Sequence, residues 1–260
     1  MDSRSESHTE PLASTDPAEP APAAHGAVGL VLGGKYRLVR EIGRGGMGVV
    51  WAADSLTLGG AAVAVKIMTA PATERARERW KREVCLVASL RSQHVVQVID
   101  QGVDESTGDL FMVMELLEGD TLGRRLQYHG VLTPGEVMLL VEDVGRALAR
   151  AHSGGVVHRD LKPDNIFLVE NDGKPIYKVL DFGLAKSFDA TIDNRALTVP
   201  GNAIGTPRYM SLEQLQSSSK LDHRADLWSL AVVTFECLVG KPPFLARDIA
   251  SLTLMLWNEE

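Results

Sequence analysis

The sequence runs to 260 residues, 45% hydrophobic and 23% charged, a balance that excludes a collagen-like or wholly disordered chain and fits one or two packed domains. Its 27 basic and 34 acidic residues leave a net charge of −7, which argues against a general surface for nucleic acid or anionic membrane. Cys85 and Cys237 are the two cysteines, each within an apolar stretch, so the expectation is two buried thiols of a reducing compartment, with neither a disulfide nor a zinc framework.

Residues 1–33 are rich in Ala, Pro, Ser, Thr and Glu and lack aromatic side chains, so they bury too little apolar area to offset their ordering entropy and read as a disordered tail. No apolar run of signal-peptide length follows a basic start. From Lys35 the pattern changes to short period-two runs, residues 36–39, 49–52 and 63–67, separated by Gly-rich stretches; this predicts a strand meander. A helix is expected over residues 73–90, where the apolar stripe of Trp80, Val84, Val87 and Leu90 also carries the carboxylate of Glu83, which needs a partner.

Two further β-rich runs, residues 95–99 and 110–116, give way at Glu118-Gly119-Asp120 to helical patterning, which places a lobe boundary near Gly119. Thr133-Pro134-Gly135-Glu136 is a capping box with proline at the first helical position. The helix it opens carries Val137, Leu140, Val141, Val144, Leu148 and Ala151 on one face and stops at Gly154-Gly155. Short strands around residues 165–169 and 176–180 precede a long loop. Residues 227–239 are then apolar around most of a helical circumference, which predicts a buried helix; Ser229, Thr234 and Glu236 interrupt it and argue against a membrane span.

Three features carry chemistry. Gly43-Arg44-Gly45-Gly46-Met47-Gly48 is a G-x-G-x-x-G, a pattern that a tight turn would use equally well. It is followed by strand residues where a dinucleotide-binding turn would open a helix, so a hairpin folded over a phosphate chain fits better. Lys66 ends the apolar strand run Val63-Ala64-Val65, where an unpaired ammonium is costly, and Glu83 is its natural counter-ion; the pair serves equally as a structural salt bridge. Third, His158-Arg159-Asp160-Leu161-Lys162-Pro163-Asp164-Asn165 follows the long helix, and Asp181-Phe182-Gly183 stands at the end of the second short strand.

In order and spacing these runs resemble the catalytic loop and metal motif of the eukaryotic-type protein kinases, with the Gly-rich loop and strand lysine upstream. The style of residues 205–214 and 158–165 resembles the bacterial serine/threonine kinases. The resemblance implies an α+β, two-lobed fold, with a small β-rich lobe over residues 34–118 and a larger helical lobe over 119–260. It implies ATP and Mg2+ as cofactors and protein serine or threonine as acceptor. Backbone amides of Gly45 to Gly48 would cover the phosphates, and Ile42, Gly43, Arg44, Met47, Val50 and Ala64 would complete that side of the nucleotide site. Lys66 would contact the α and β phosphates with Glu83 holding it. Asn165 and Asp181 would ligate magnesium, and Asp160 would accept or orient the substrate hydroxyl proton. Lys162 would lie near the transferred phosphate, and Thr206, after Gly205, would order Asp160. The adenine would meet the backbone of Glu115 to Leu117, with Met114 gating the space behind.

By the same resemblance Arg159 would grip a phosphate on the activation segment, with Thr198 the leading acceptor and Thr191 and Ser187 the alternatives. Asp226 would bond the catalytic-loop backbone. Ser211-Leu212-Glu213 replaces the usual Ala-Pro-Glu, and the text ends soon after Pro242-Pro243-Phe244. The reading therefore expects a large lobe lacking its last helices, Glu213 without its usual arginine, and apolar surface exposed on residues 227–239. The partners implied are protein substrates, with no nucleic acid and no membrane segment, in a cytoplasmic protein; a homodimer would permit autophosphorylation in trans. A catalytically impaired nucleotide-binding or interaction module of the same fold is the alternative.

Overall fold

Period-two burial organises the first half of the chain. Described here, in a computed structural model, are residues 26–45, 48–68, 73–182, 207–216 and 221–258. Strands β1 (Val31–Leu32), β2 (Tyr36–Gly45), β3 (Gly48–Ser55), β4 (Ala62–Met68), β5 (Val98–Val103) and β6 (Leu110–Glu115) form one antiparallel sheet in the order β1-β2-β3-β4-β6-β5. On β4, Val63, Val65 and Ile67 pack into one apolar layer with Leu38, Trp51, Phe111 and Val113, while Ala64 and Met68 face the other layer with Met112 and Met114. Because alternate residues point to opposite faces, Lys66 is carried on the second face, opposite Val50 of β3 and Met112 of β6. That face is covered by helix α1 (Glu74–Ala88) through Trp80, Val84 and Val87, all buried. Thr73 caps α1, its hydroxyl accepting the Ala76 amide.

The expected strand at residues 95–99 lies elsewhere. The backbone of residues 94–96 is taken by the second sheet: Val179 N–H donates to the His94 carbonyl (2.8 Å) and Val96 N–H to the Val179 carbonyl (3.0 Å), so bonding to β6 begins at Gln97, whose carbonyl accepts the Glu115 amide, and the ladder proper at Val98. That second sheet is antiparallel, β7 (Gly119–Thr121), β8 (Ile166–Asn171) and β9 (Lys174–Val179), in that order. Helix α2 (Leu122–His129) leads to α3 (Pro134–Ser153), whose capping box is complete: Thr133 Oγ1 accepts the Glu136 amide and the Glu136 carboxylate accepts the Thr133 amide. Val137, Leu140, Val144, Leu148 and Ala151 of α3 are buried as expected, whereas Val141, at the rim of that stripe, is exposed.

Short helix α4 (Leu212–Leu215), α5 (Arg224–Val239) and α6 (Ile249–Asn258) complete the described chain. Helix α5 corrects the reading of a wholly buried helix and bears out the expected exposure of apolar surface on residues 227–239. Ala225, Asp226, Ser229, Leu230, Val233 and Cys237 are buried against α3 and the core, but Leu227, Phe235, Leu238 and Val239 are exposed on the opposite side. A second correction concerns the thiols. Cys237 is buried, with its thiol pushed up to about 12 by burial, but Cys85 is exposed, because it lies one position beyond Val84 and is turned off the buried stripe. Among the described residues no helix is long and apolar enough to cross a membrane.

Candidate active site

The site forms where β4, the loop after α3 and the end of β9 meet. Lys66 Nζ donates to Asp181 Oδ2 at 2.7 Å, both side chains largely shielded from solvent. Burial pushes the Asp181 carboxyl up, but the Lys66 ammonium, with further positive charge from Lys162, holds it below the ordinary carboxylate value. Asp181 is therefore the counter-ion that Lys66 uses in this structure, where pairing with Glu83 was expected. Glu83 faces instead into a cavity of about 140 Å3 lined also by Leu86, Val87, Val156, Arg159 and Phe182. Its Oε2 is buried with no hydrogen-bond partner among the described residues, and burial raises its carboxyl against the pull of Arg159 and Arg79. Trp80, Val84 and Val87 bury α1 in the core, and Glu83, on the same stripe, lines the cavity with Arg159.

The loop of residues 158–165 is built by hydrogen bonds from three directions. The Asp160 amide donates to His158 Nδ1 (3.2 Å), so His158 Nε2 carries the proton and donates to the Leu180 carbonyl (2.8 Å). This imidazole thus joins the loop to the residue before Asp181, and its ring lies 4.8 Å from that of Phe182. The Leu180 amide donates back to the Asn165 carbonyl (2.9 Å). Asn165 Nδ2 donates to both the Asp160 carbonyl (2.7 Å) and Asp160 Oδ2 (3.1 Å), and Lys162 Nζ donates to the same Oδ2 (3.0 Å). Asp160, Lys162, Asn165, Asp181 and Lys66 are thereby gathered into one cluster.

Two of its backbones are in the left-handed region, which non-glycine residues avoid: Arg159 at φ 66° and Asp181 at φ 54°. Arg159 is held there from both sides. Its amide donates to Asp226 Oδ1 (2.8 Å), and its carbonyl accepts from Gln214 Nε2 (2.8 Å). Asp226, buried on α5, also accepts the His158 amide (2.8 Å) and His152 Nε2 (2.8 Å). The anchoring of the loop by Asp226 is as the sequence reading expects; His152 and Gln214 were missed. Gln214 had a visible signal in the Ser211-x-x-Gln214 capping box, which the structure forms and which fixes the amide for Arg159.

On the opposite wall, Met114 is buried and opposite Ala64 in the sheet, and Leu116 and Leu117 are half-buried. Val50 is half-buried beneath the Gly-rich hairpin, where Ile42, Arg44 and Gly45 are exposed, Gly43 is half-buried and Arg44 is paired with Glu41. A side chain at Gly48 would run into the Ile67 carbonyl, so glycine lets β3 approach β4 there. Gly46, Met47, Gly183, Ser187, Thr191, Thr198, Gly205 and Thr206 lie outside the described residues.

Among the described residues no three His, Cys, Asp or Glu side chains are grouped to hold a metal ion unaided. The donor set of Asp181 and Asn165, one carboxylate and one amide, suits a hard cation whose remaining ligands come from phosphate oxygens and water.

A β-rich lobe over a helical lobe, with a lysine, an aspartate-bearing loop and a second aspartate converging between them, is a kinase-like architecture. The chain belongs to the protein kinase domain family, whose model matches residues 36–257. It is 41% identical to the serine/threonine-protein kinase PknH of Mycobacterium tuberculosis over 221 residues, covering 84% of this chain and 34% of the relative. It is also 41% identical to the serine/threonine-protein kinase pkn3 of Myxococcus xanthus over 236 residues, covering 90% of this chain and 43% of that protein. The chain thus spans about a third to two-fifths of the length of these curated relatives. Among solved structures it is similar to the PknI kinase domain of Mycobacterium tuberculosis, with a TM-score of 0.67 and 28% identity over 86% of this chain and 79% of that one.

Proposed function

We propose that the chain is an ATP-dependent protein serine/threonine kinase that works in signalling and phosphorylates itself as well as protein substrates. The observation that carries this reading is the convergence of Lys66 on Asp181 beside the Asp160–Lys162–Asn165 cluster. Phosphoryl transfer asks a protein chiefly to hold donor and acceptor in line and to neutralise charge on the phosphate oxygens, and this cluster supplies fixed charges of the right sign for that task.

In this reading Asp160 accepts or orients the proton of the attacking serine or threonine hydroxyl. Its Oδ2 is held by Asn165 and Lys162, so the carboxylate is oriented before substrate arrives. Lys162 places positive charge beside the reacting oxygen. Lys66 serves the α and β phosphates, leaving Asp181 free to face magnesium with Asn165; the bound ion would supply charge neutralisation across the phosphate oxygens. The Gly-rich hairpin covers the phosphates, and the adenine lies against the backbone of residues 115–117, with Met114 gating the space behind it. Arg159 and Thr198 form the proposed phosphorylation switch, and Thr206 the proposed ordering contact to Asp160. The lobes divide near Gly119, a reading supported by the change there from the six-stranded sheet to the second sheet and the helices. A cytoplasmic placement, where ATP is abundant, and a homodimer for trans-phosphorylation belong to the same proposal.

Intact-mass analysis after incubation with magnesium and ATP, beside Asp160→Asn, tests it. Phosphate gained by the wild type and not by the variant is the expected result. ATP binding with no phosphate gained by either chain would replace this reading with that of a nucleotide-binding module.

A further inference from the structure

At the start of the segment proposed to meet adenine, the side chain of Glu115 enters one ion pair that joins three separate stretches of chain. Glu115 ends β6. Lys178 Nζ, from β9, donates to both of its carboxylate oxygens, at 2.7 and 2.8 Å. The same carboxylate accepts the amide of Gln97 at 2.8 Å, and the Glu115 amide returns a bond to the Gln97 carbonyl at 3.0 Å. Both charged side chains are largely shielded from solvent, so their attraction is screened less than that of an ordinary surface pair. Lys178 stands three residues before Asp181 on a strand already locked to residues 94–96 by two backbone bonds. The pair therefore spans the two lobes: at one end is the strand leading into residues 116–118, at the other the strand that delivers Asp181.

We infer that Glu115 and Lys178 are positioning residues, an interlobe strut that fixes the distance between the adenine-facing segment and the strand carrying Asp181. The inference rests on the ATP reading above for its kinetic consequence and on the apo geometry for its mechanical one. Neither side chain is assigned a contact with the reacting atoms. Loss of the strut should loosen the grip on nucleotide while leaving the Asp160–Lys162–Asn165 cluster intact, so its signature is a rise in KM for ATP with kcat nearly preserved.

The test uses Lys178→Met, which removes the charge and keeps the stem, and Lys178→Arg, which keeps a cation able to engage both carboxylate oxygens. Lys178→Met should raise the KM for ATP about 5-fold and change kcat less than about 2-fold, the scale of a half-buried ion pair. Lys178→Arg should restore most of the loss. In a Glu115→Gln background Lys178→Met should have little further effect, since the strut is already broken. An unchanged KM, a fall in kcat at constant KM, or equal damage by Met and Arg would overturn the inference. Amide hydrogen exchange without nucleotide reads the mechanical claim separately: the Gln97 and Glu115 amides should exchange faster in Lys178→Met than in wild type or Lys178→Arg. Unchanged exchange refutes the strut even if the chain turns over no ATP, whereas faster exchange in a chain that binds no ATP refutes the kinase reading and leaves the strut standing.

Discussion

Asp226→Asn is the substitution whose effect follows most directly from the geometry. The wild-type carboxylate faces three donors, the amides of His158 and Arg159 and His152 Nε2, all at 2.8 Å, and is fully buried. Asparagine has the same shape but one acceptor oxygen and one donor NH2. The less costly orientation places the NH2 at the Oδ1 position, where it opposes only the Arg159 amide. One charge-assisted bond is then lost with a buried amide left unsatisfied, and the other two fall to neutral strength, a total of about 3 kcal/mol. For a chain of this size that corresponds to a fall in Tm of about 6–12 °C. Arg159 also loses the contact that helps hold it at φ 66°, so Asp160, the next residue, should shift and kcat should drop on the order of 100-fold. Calorimetry and steady-state kinetics on the purified variant measure both. His152→Ala, which removes only one of the three donors, should cost about 1 kcal/mol. If Asp226→Asn unfolds within about 1 °C of wild type and retains its kcat, the account of how the loop is held is wrong.

Further expectations concern the buried charges and the second loop anchor. Glu83 has its carboxyl raised above the ordinary 4.5, first by burial, so its ionisation takes stability away at neutral pH and returns it as pH falls through the raised value. Glu83→Gln should therefore raise Tm at pH 7, with the difference closing below about pH 4.5; an unchanged or lower Tm at pH 7 would refute this. Asp181 has the opposite sign. Burial raises it, but Lys66 holds it below its ordinary 3.8 overall, so its contribution is present above about pH 4 and lost on further acidification. Asp181→Asn should lower Tm at pH 7, and the gap should narrow toward low pH. Gln214→Ala removes the bonds to the Arg159 carbonyl and the Ser211 amide and should cost about 2 kcal/mol in a chemical unfolding titration. An alkylating thiol reagent should label one cysteine per native chain, the exposed Cys85, and two only after unfolding.

Where the chemistry demands particular residue types at fixed local spacing, the site was legible in the sequence. Period two alone carries Lys66 to the face of β4 shared with Ala64 and Met68, and the loop of residues 158–165 brings Asp160, Lys162 and Asn165 together through contacts no more than five residues apart. Helix α3 was readable from its capping box for the same reason. Less was legible wherever two elements approach only through packing. Either Glu83 or Asp181 satisfies the local requirement of a counter-ion for Lys66, and nothing in the period of α1 distinguishes them. Helix α5 was read as a buried helix that also leaves apolar surface exposed, without saying on which side, because its apolar content says how much surface it would hide and not which side has a neighbour.

The sequence by itself determined the family, the main strands, the long helix and the set of charged groups offered to a phosphate chain, because these depend on side-chain period, caps and motif spacing over short stretches; it read residues 26–33 as part of a disordered tail, where β1 pairs with β2 and Leu32 is buried. Only the tertiary structure decided which charges meet. Lys66 with Asp181, Lys178 with Glu115, His152 with Asp226 and Gln214 with Arg159 are separated by 115, 63, 74 and 55 residues. At such separations the pairing is chosen by how apolar faces settle against one another, and the polar groups bond to whatever partner that packing brings within reach.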